Sequence, residues 1–315
     1  MITILSYLVF IGVTLAVTTA PASAASFSDI VVPGESLTVA LDVNNAGVIV
    51  GEYGCCSGSI GVHGFVLSGG IFTTLDVPGA SGTQLTAITD SGQIAGTYNV
   101  GGGNNHGFVY SGGVFTTLDV PGATFTNVWG MNNAGQVVGE YQIGGVLHGF
   151  LYSGGVFIPI DVPGATATTA YGINNAGRIV GTSNVSGAEP SGFVLANGVF
   201  TNFTVPGAAG TNAFDINNSG DVVGRYQIVS GGDSHGFLLA NGTFTTLDDP
   251  GYANTLLWGL NDHHSIVGQG FNGDQVVTNG LLISTIPEAP TLTLLAVGLA
   301  GAITFAWRRN ISRTG

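Results

Sequence analysis

A unit of about 43 residues, repeated six times, limits what this chain can fold into. Its clearest copy runs Gly130-Met131-Asn132-Asn133-Ala134-Gly135-Gln136-Val137-Val138-Gly139-Glu140-Tyr141, then Leu147-His148-Gly149-Phe150-Leu151-Tyr152-Ser153-Gly154-Gly155-Val156-Phe157, then Asp161-Val162-Pro163-Gly164. The glycine closing the first half recurs at Gly51, Gly96, Gly139, Gly181, Gly224 and Gly268, at intervals of 45, 43, 42, 43 and 44 residues. Five copies carry a Gly-Phe pair in the second half: Gly64-Phe65, Gly107-Phe108, Gly149-Phe150, Gly192-Phe193 and Gly236-Phe237. The sixth reads Asp274-Gln275 at that place, a degeneracy expected of a terminal repeat.

Each unit offers four short strands. In one copy Thr169 to Ile173 leads into the turn Asn174-Asn175-Ala176-Gly177, whose Asn and Gly tolerate positive φ. Arg178 to Thr182 makes a second strand, and a loop of variable sequence follows. In the preceding copies His106 to Tyr110 is the third strand, Ser111-Gly112-Gly113 a tight hairpin, and Val114 to Val120 the fourth strand, closed by Pro121-Gly122. On the third strand, alternation puts Phe108 and Tyr110 on one face and Val109 on the other. Glycine before the phenylalanine permits close approach of the neighbouring sheet.

Four strands per unit and six units predict an all-β fold, a β-propeller of about six four-stranded blades over residues 26–287. A β-solenoid and an open sheet array are the alternatives. A lone repeat tail, Phe27-Ser28-Asp29-Ile30-Val31-Val32-Pro33-Gly34, stands before the first unit. In a ring it completes the last blade and removes a free edge; in a solenoid it caps the first coil.

The formal net charge is -13, from 18 acidic and 5 basic residues, with no lysine. Three of the arginines, Arg308, Arg309 and Arg313, crowd the C-terminus. Such a surface repels nucleic acid. Charged residues make only 7% of the chain, so Asn, Ser, Thr, Gly and backbone must cover the surface, as suits an extracellular protein. The two cysteines, Cys55 and Cys56, are adjacent and build no disulfide framework. A strained vicinal bridge and two loop thiols are both open.

The ends read as targeting segments. Ile2 to Val17 is nearly all apolar and Ala22-Ser23-Ala24 is a small-x-small cleavage site, so residues 1–25 read as a signal peptide, with an uncleaved anchor as the alternative. After Ile286-Pro287-Glu288-Ala289-Pro290, residues 291–307 are almost wholly apolar and Arg308-Arg309 follows. As a helix that span measures about 26 Å, the short end of what crosses a bilayer. The arginines place the C-terminus inside and the repeats outside.

Pro287-Glu288-Ala289-Pro290, the span and the arginine pair resemble a PEP-CTERM sorting signal of Gram-negative bacteria. The usual form begins Val-Pro-Glu-Pro, so the second proline is displaced here by one. This resemblance implies that residues 287–315 are handled by an exosortase-type processing enzyme, with delivery to the cell surface or matrix, often beside exopolysaccharide. The inner-membrane anchor is then transient or retained. The repeats resemble the extracellular HAF repeat family, whose His-Ala-Phe triplet corresponds to His63-Gly64-Phe65, His106-Gly107-Phe108, His148-Gly149-Phe150 and His235-Gly236-Phe237; Ser191 replaces one histidine. Neither resemblance implies a catalytic activity.

Candidate chemistry is thin. His63, His106, His148 and His235 recur at one blade position; regular repetition marks them as structural, against the alternative of a ligand ring at a central channel. The Asn turns superficially resemble calcium loops, as in Asp42 to Gly47 and Asp215 to Gly220, but Ala87, Gly130, Gly172 and Gly259 start the others, so Asx turns explain them better. Asp76, Asp119 and Asp161 read as turn formers. On a strand His263-His264 faces opposite ways and makes a poor metal site; in a turn the pair binds at most weakly. No catalytic residue, cofactor or metal is assigned.

The variable loops gather on one face of a ring and are the better functional candidates. Tyr53, Tyr98, Tyr141 and Tyr226, where strand meets loop, either stack on sugar rings or pack between blades. The expected function is a non-enzymatic exported surface or matrix protein that binds exopolysaccharide or other surface proteins through those loops. The alternatives are a polysaccharide lyase or hydrolase on a propeller scaffold, and a passive spacer.

Overall fold

The computed structural model describes residues 25–54, 61–101, 103–273 and 278–284, all of them strand, turn or connecting backbone. Residues 1–24, Cys55, Cys56, Asp274, Gln275 and 285–315 lie outside that set, and with them the signal peptide, the sorting signal and the 291–307 span. Among the described residues no helix is long and apolar enough to cross a membrane. The strands belong to one compact unit, Ala24–Ile286.

Each repeat folds into an antiparallel four-stranded blade. In the first blade these are Leu37–Val43, Ile49–Gly54, Val62–Ser68 and Ile71–Thr74. Four further blades occupy 82–118, 126–160, 167–203 and 210–246. The sixth combines Asn254–Leu260, Ile266–Phe271 and Thr278–Ser284 with the N-terminal strand Ser26–Ile30. Ser26 pairs with Ser284 and Ile30 with Gly280, so the repeat tail ahead of the first unit does complete the last blade.

The ring is held by six apolar layers, one between each pair of neighbouring blades. Val50 of the first blade meets Leu85, Ile94 and Phe108 of the second. Val267 and Ile30 of the sixth meet Ala40, Ile49 and Phe65 of the first, which closes the circle. Strand alternation feeds both layers of a blade: Phe108 and Tyr110 point into one, Val109 into the next. Phe65, Phe108, Phe150, Phe193 and Phe237 are fully buried, each worth about 1.5–3 kcal/mol by transfer alone.

The repeated glycines follow from this packing. Gly51 pairs with Phe65, and a Cβ on it would strike the Val39 carbonyl and lie 2.8 Å from the phenylalanine ring. The glycine before the phenylalanine answers to the next blade: a Cβ on Gly64 would come 2.7 Å from Leu85 Cγ.

One assignment from sequence is corrected. Gly268 pairs with Leu281 and Gly270 with Asn279, as Gly51 pairs with Phe65 and Tyr53 with His63. The sixth counterpart of His-Gly-Phe is therefore Asn279-Gly280-Leu281, not Asp274-Gln275. Its glycine is correctly spaced, but Asn and Leu replace the two residues that make the motif visible.

Each innermost strand carries a β-bulge, which leaves one residue out of register: Leu41, Thr86, Trp129, Tyr171, Phe214 and Trp258. These side chains line the ring axis. The Asn turns and the hairpins share one face; the variable loops and the Pro-Gly connections share the other.

Candidate functional site

On the loop face, four blades build the same station from three strands. The third strand carries His63, His106, His148 or His235 one or two residues from its start. The connection after the fourth strand brings Asp76, Asp119, Asp161 or Asp248 to its Nδ1, at 2.7, 2.7, 3.0 and 2.7 Å. The second strand supplies Tyr53, Tyr98, Tyr141 or Tyr226, whose ring lies 5.2–5.4 Å from the imidazole. Three of those hydroxyls meet a threonine: Tyr53 with Thr74 at 2.6 Å, Tyr98 with Thr117 at 3.0 Å and Tyr226 with Thr246 at 2.8 Å. Blade three has Pro159 there, and its Tyr141 is buried. Burial, then the Asp161 carboxylate, raises the Tyr141 pKa.

The sequence-predicted histidines are thus paired, and the aspartates do more than form turns. With the carboxylate accepting from Nδ1–H, each imidazole presents Nε2. None of those four Nε2 atoms has a protein partner among the described residues. His63 is the most exposed, at 54% of its side chain, against 27% for His235. In two blades the carboxylate also accepts a backbone N–H, from Gly64 and from Gly236. The four tyrosines are neither free platforms nor wholly interior: the imidazole covers one side of each ring, and the layers between blades take another part.

Blade four loses the station as a whole. Ser183, Ser191 and Thr204 stand at the Tyr, His and Asp positions. The Ser183 hydroxyl is buried without a partner, and the Phe203 ring lies where a Cβ on Gly192 would go. Blade six rebuilds it from other parts. Gly270 stands at the tyrosine position and the Tyr252 ring lies over it. Tyr252 donates to Asp29 of the closing strand at 3.1 Å and accepts from Asn279 Nδ2 at 2.7 Å. Burial, above all, raises its pKa.

One signal in the sequence could have revealed the stations. His and Asp stand 13 residues apart in each of the four blades and vanish together in the fourth repeat. The missed elements lie on the opposite face and along the axis. Asn44 Oδ1 accepts from Ala46 and Val48 N–H, the expected Asx turn, while its Nδ2 reaches the Thr89 carbonyl of the next blade. Asn45, Asp90, Asn133, Asn175, Asn218 and Asp262 form a second circuit: each backbone N–H donates to the Oδ1 of the next, and Asp262 returns to Asn45, at 2.8–3.0 Å throughout. Among the described residues, no group of three or more His, Cys, Asp or Glu is placed to hold a metal ion.

No known family model and no curated protein matches the sequence. Solved structures do. TolB from Acinetobacter baumannii superposes with a TM-score of 0.54 at 12% identity, over 78% of this chain and 65% of that one, so the chain spans just under two thirds of TolB. A mutant of the Aleuria aurantia lectin, in complex with Fucα1-6GlcNAc, gives 0.53 at 15% identity, over 83% of this chain and 99% of the lectin. AofleA from Arthrobotrys oligospora gives 0.53 at 14% identity, over 84% and 91%. At these identities the likeness is one of fold.

Proposed function

We propose that this chain is an exported, non-enzymatic β-propeller that binds polysaccharide at the Tyr–His–Asp stations of its loop face. The observation that carries the reading is the fourfold repetition of one part-exposed His–Asp pair backed by a tyrosine ring. A ring that presents the same imidazole edge and carboxylate several times suits a polymer of repeating hydroxyls, because weak sites add through avidity. An enzyme needs one site where acids or bases converge, whereas each station sits in its own blade. The inner cavity on the ring axis measures about 30 Å³, room for about two waters, and leads into an open one of about 80 Å³; turnover there is the lyase or hydrolase alternative. A fucose-specific lectin from Aleuria aurantia uses a fold of this kind, which supports the scaffold as compatible with sugar binding.

In the same reading the N-terminal segment is a signal peptide. Residues 287–315 direct the chain to an exosortase and then to the surface or matrix of a Gram-negative bacterium. The experiment is a glycan array of the purified protein, with reducing-end assays on each hit. Binding without turnover, lost when His63, His106, His148 and His235 are all replaced by alanine, is the expected result. Turnover of any hit overturns the non-enzymatic reading. Binding that survives the fourfold replacement moves the site away from the stations, and no binding favours a passive spacer.

A further inference from the structure

A different site lies on the ring axis, entered from the turn face. At its mouth stand the ring carboxylates Asp90 and Asp262. Burial works to raise their pKa values, but the backbone N–H and amide hydrogen bonds they accept outweigh it and hold them below the usual carboxylate range. Asn45 bridges the pair, donating through Nδ2 to Asp90 at 3.0 Å and to Asp262 at 2.9 Å. Below them Asp42 and Asp215 line both the open cavity of about 80 Å³ and the inner one of about 30 Å³. Asp42 accepts from Ile88 and Val43 N–H, both at 2.7 Å, and Asp215 accepts from Leu260 N–H at 2.9 Å. Below these lie Trp129, Tyr171, Phe214 and Trp258, with Phe214 and Trp258 stacked at 4.0 Å and Trp129 and Trp258 parallel at 6.3 Å.

Three features of this funnel are incomplete as it stands. Four carboxyl groups line it and, among the described residues, no lysine or arginine does; His263 acts on Asp262 at the mouth, and Arg225, hydrogen-bonded to Asn212 Oδ1, acts on Tyr171 from outside the lining. Buried carboxylates are ordinarily paired with a cation. Aromatic rings line the inner cavity, and a ring face attracts a cation where it is open to one. The Nε1 atoms of the part-exposed Trp129 and Trp258 are buried and have no acceptor among the described residues, although such donors are nearly always satisfied.

We infer that the axis is a binding site for a small monovalent cation of one or two heavy atoms, of the potassium or ammonium class. The carboxyl groups supply charge, the aromatic rings supply their π faces, and a water carried with the cation supplies an oxygen for an indole N–H. Size sets the class: the inner cavity takes about two heavy atoms at roughly 10–15 Å³ each. A chelated divalent metal fits less well, since no three ligating side chains converge among the described residues. Asp42 and Asp215 point the same way. Burial, and for Asp42 also the neighbouring Asp215, holds both above the usual carboxylate range, the condition that a bound cation relieves.

The test uses the full chain in detergent, titrated with potassium or ammonium chloride at constant ionic strength maintained with tetramethylammonium chloride. Trp129 and Trp258 report through their emission, over a constant background from Trp307. The expected result is a saturable change with half-saturation at roughly millimolar concentration, and a half-saturation raised about tenfold or more in Asp42→Asn/Asp215→Asn. A response linear in salt, or none, overturns the proposal. Crystals soaked in thallium(I) give a readout independent of any variant: an anomalous peak between Asp42, Asp215 and the Trp258 ring is expected, and its absence overturns the site.

Discussion

The two faces of the ring obey different rules. On the turn face every blade contributes to one closed circuit, from Asn45 through Asp90, Asn133, Asn175 and Asn218 to Asp262 and back. Asp replaces Asn twice, and no member is missing, because a carboxylate oxygen accepts as well as an amide oxygen. On the loop face four blades carry the station, one has lost it and one has rebuilt it around Tyr252. A contact that closes the circle must be present in every blade. A contact that serves a ligand can be dropped from one. Blade four shows the separation within a single repeat: it keeps Gly181, Phe193 and Asn174 and lacks Tyr, His and Asp together.

Four substitutions probe that separation, in order of decreasing effect on stability. Phe193→Ala, in the blade without a station, removes a fully buried ring and should cost about 3–5 kcal/mol in chemical denaturation. An effect near zero would mean that blade four is not part of the closed core. Asn174→Ala removes the acceptor for Ala176 and Arg178 N–H and the donor to the Asn217 carbonyl. Its cost should be about 2–3 kcal/mol, with m-value unchanged.

Glu52→Gln tests the contact between the first two blades. Glu52 accepts from Gln84 Nε2 at 2.5 Å, and burial pushes its pKa up to about 7. A carboxyl group raised on folding favours the folded state while protonated, and this advantage fades as pH climbs from about 4.5 to about 7. The variant should therefore melt a few degrees higher than wild type at pH 8, at about 2–4 °C per kcal/mol, and show little difference at pH 4. Equal melting temperatures at both would place the carboxyl group in water. His106→Ala should cost less than about 1 kcal/mol, since its pair with Asp119 is half-exposed, while weakening polysaccharide binding. A loss of stability as large as that of Asn174→Ala would make the stations architecture.

The repeats and their four strands are legible in the sequence because they rest on residues that recur, the Gly51 and Phe65 series and the Asn turns; closure is not, because the tail Phe27 to Gly34 suits a ring or a cap until its pairing with 280–284 is seen. What recurs in place but not in identity is hidden. Leu41, Thr86, Trp129, Tyr171, Phe214 and Trp258 share one bulge position but no residue type, so no motif marks the axis. The His–Asp pairs are visible only as a 13-residue spacing, and the Asn circuit joins neighbouring repeats, which a period of one repeat cannot show. Asn279-Gly280-Leu281 is hidden from motif reading because a hydrogen-bond register, not a residue type, defines it.

The pairing of Ser26 with Ser284 joins positions 258 residues apart. Loop closure on that scale is the slowest kind of contact to form. During synthesis the first strand emerges early and has no partner until the third strand of blade six arrives. Five blades can stack while that edge waits, but the ring cannot close before residues 278–284 are in place. A chain halted before residue 278 would expose two unpaired sheet edges, the form most open to proteolysis and to joining a second chain.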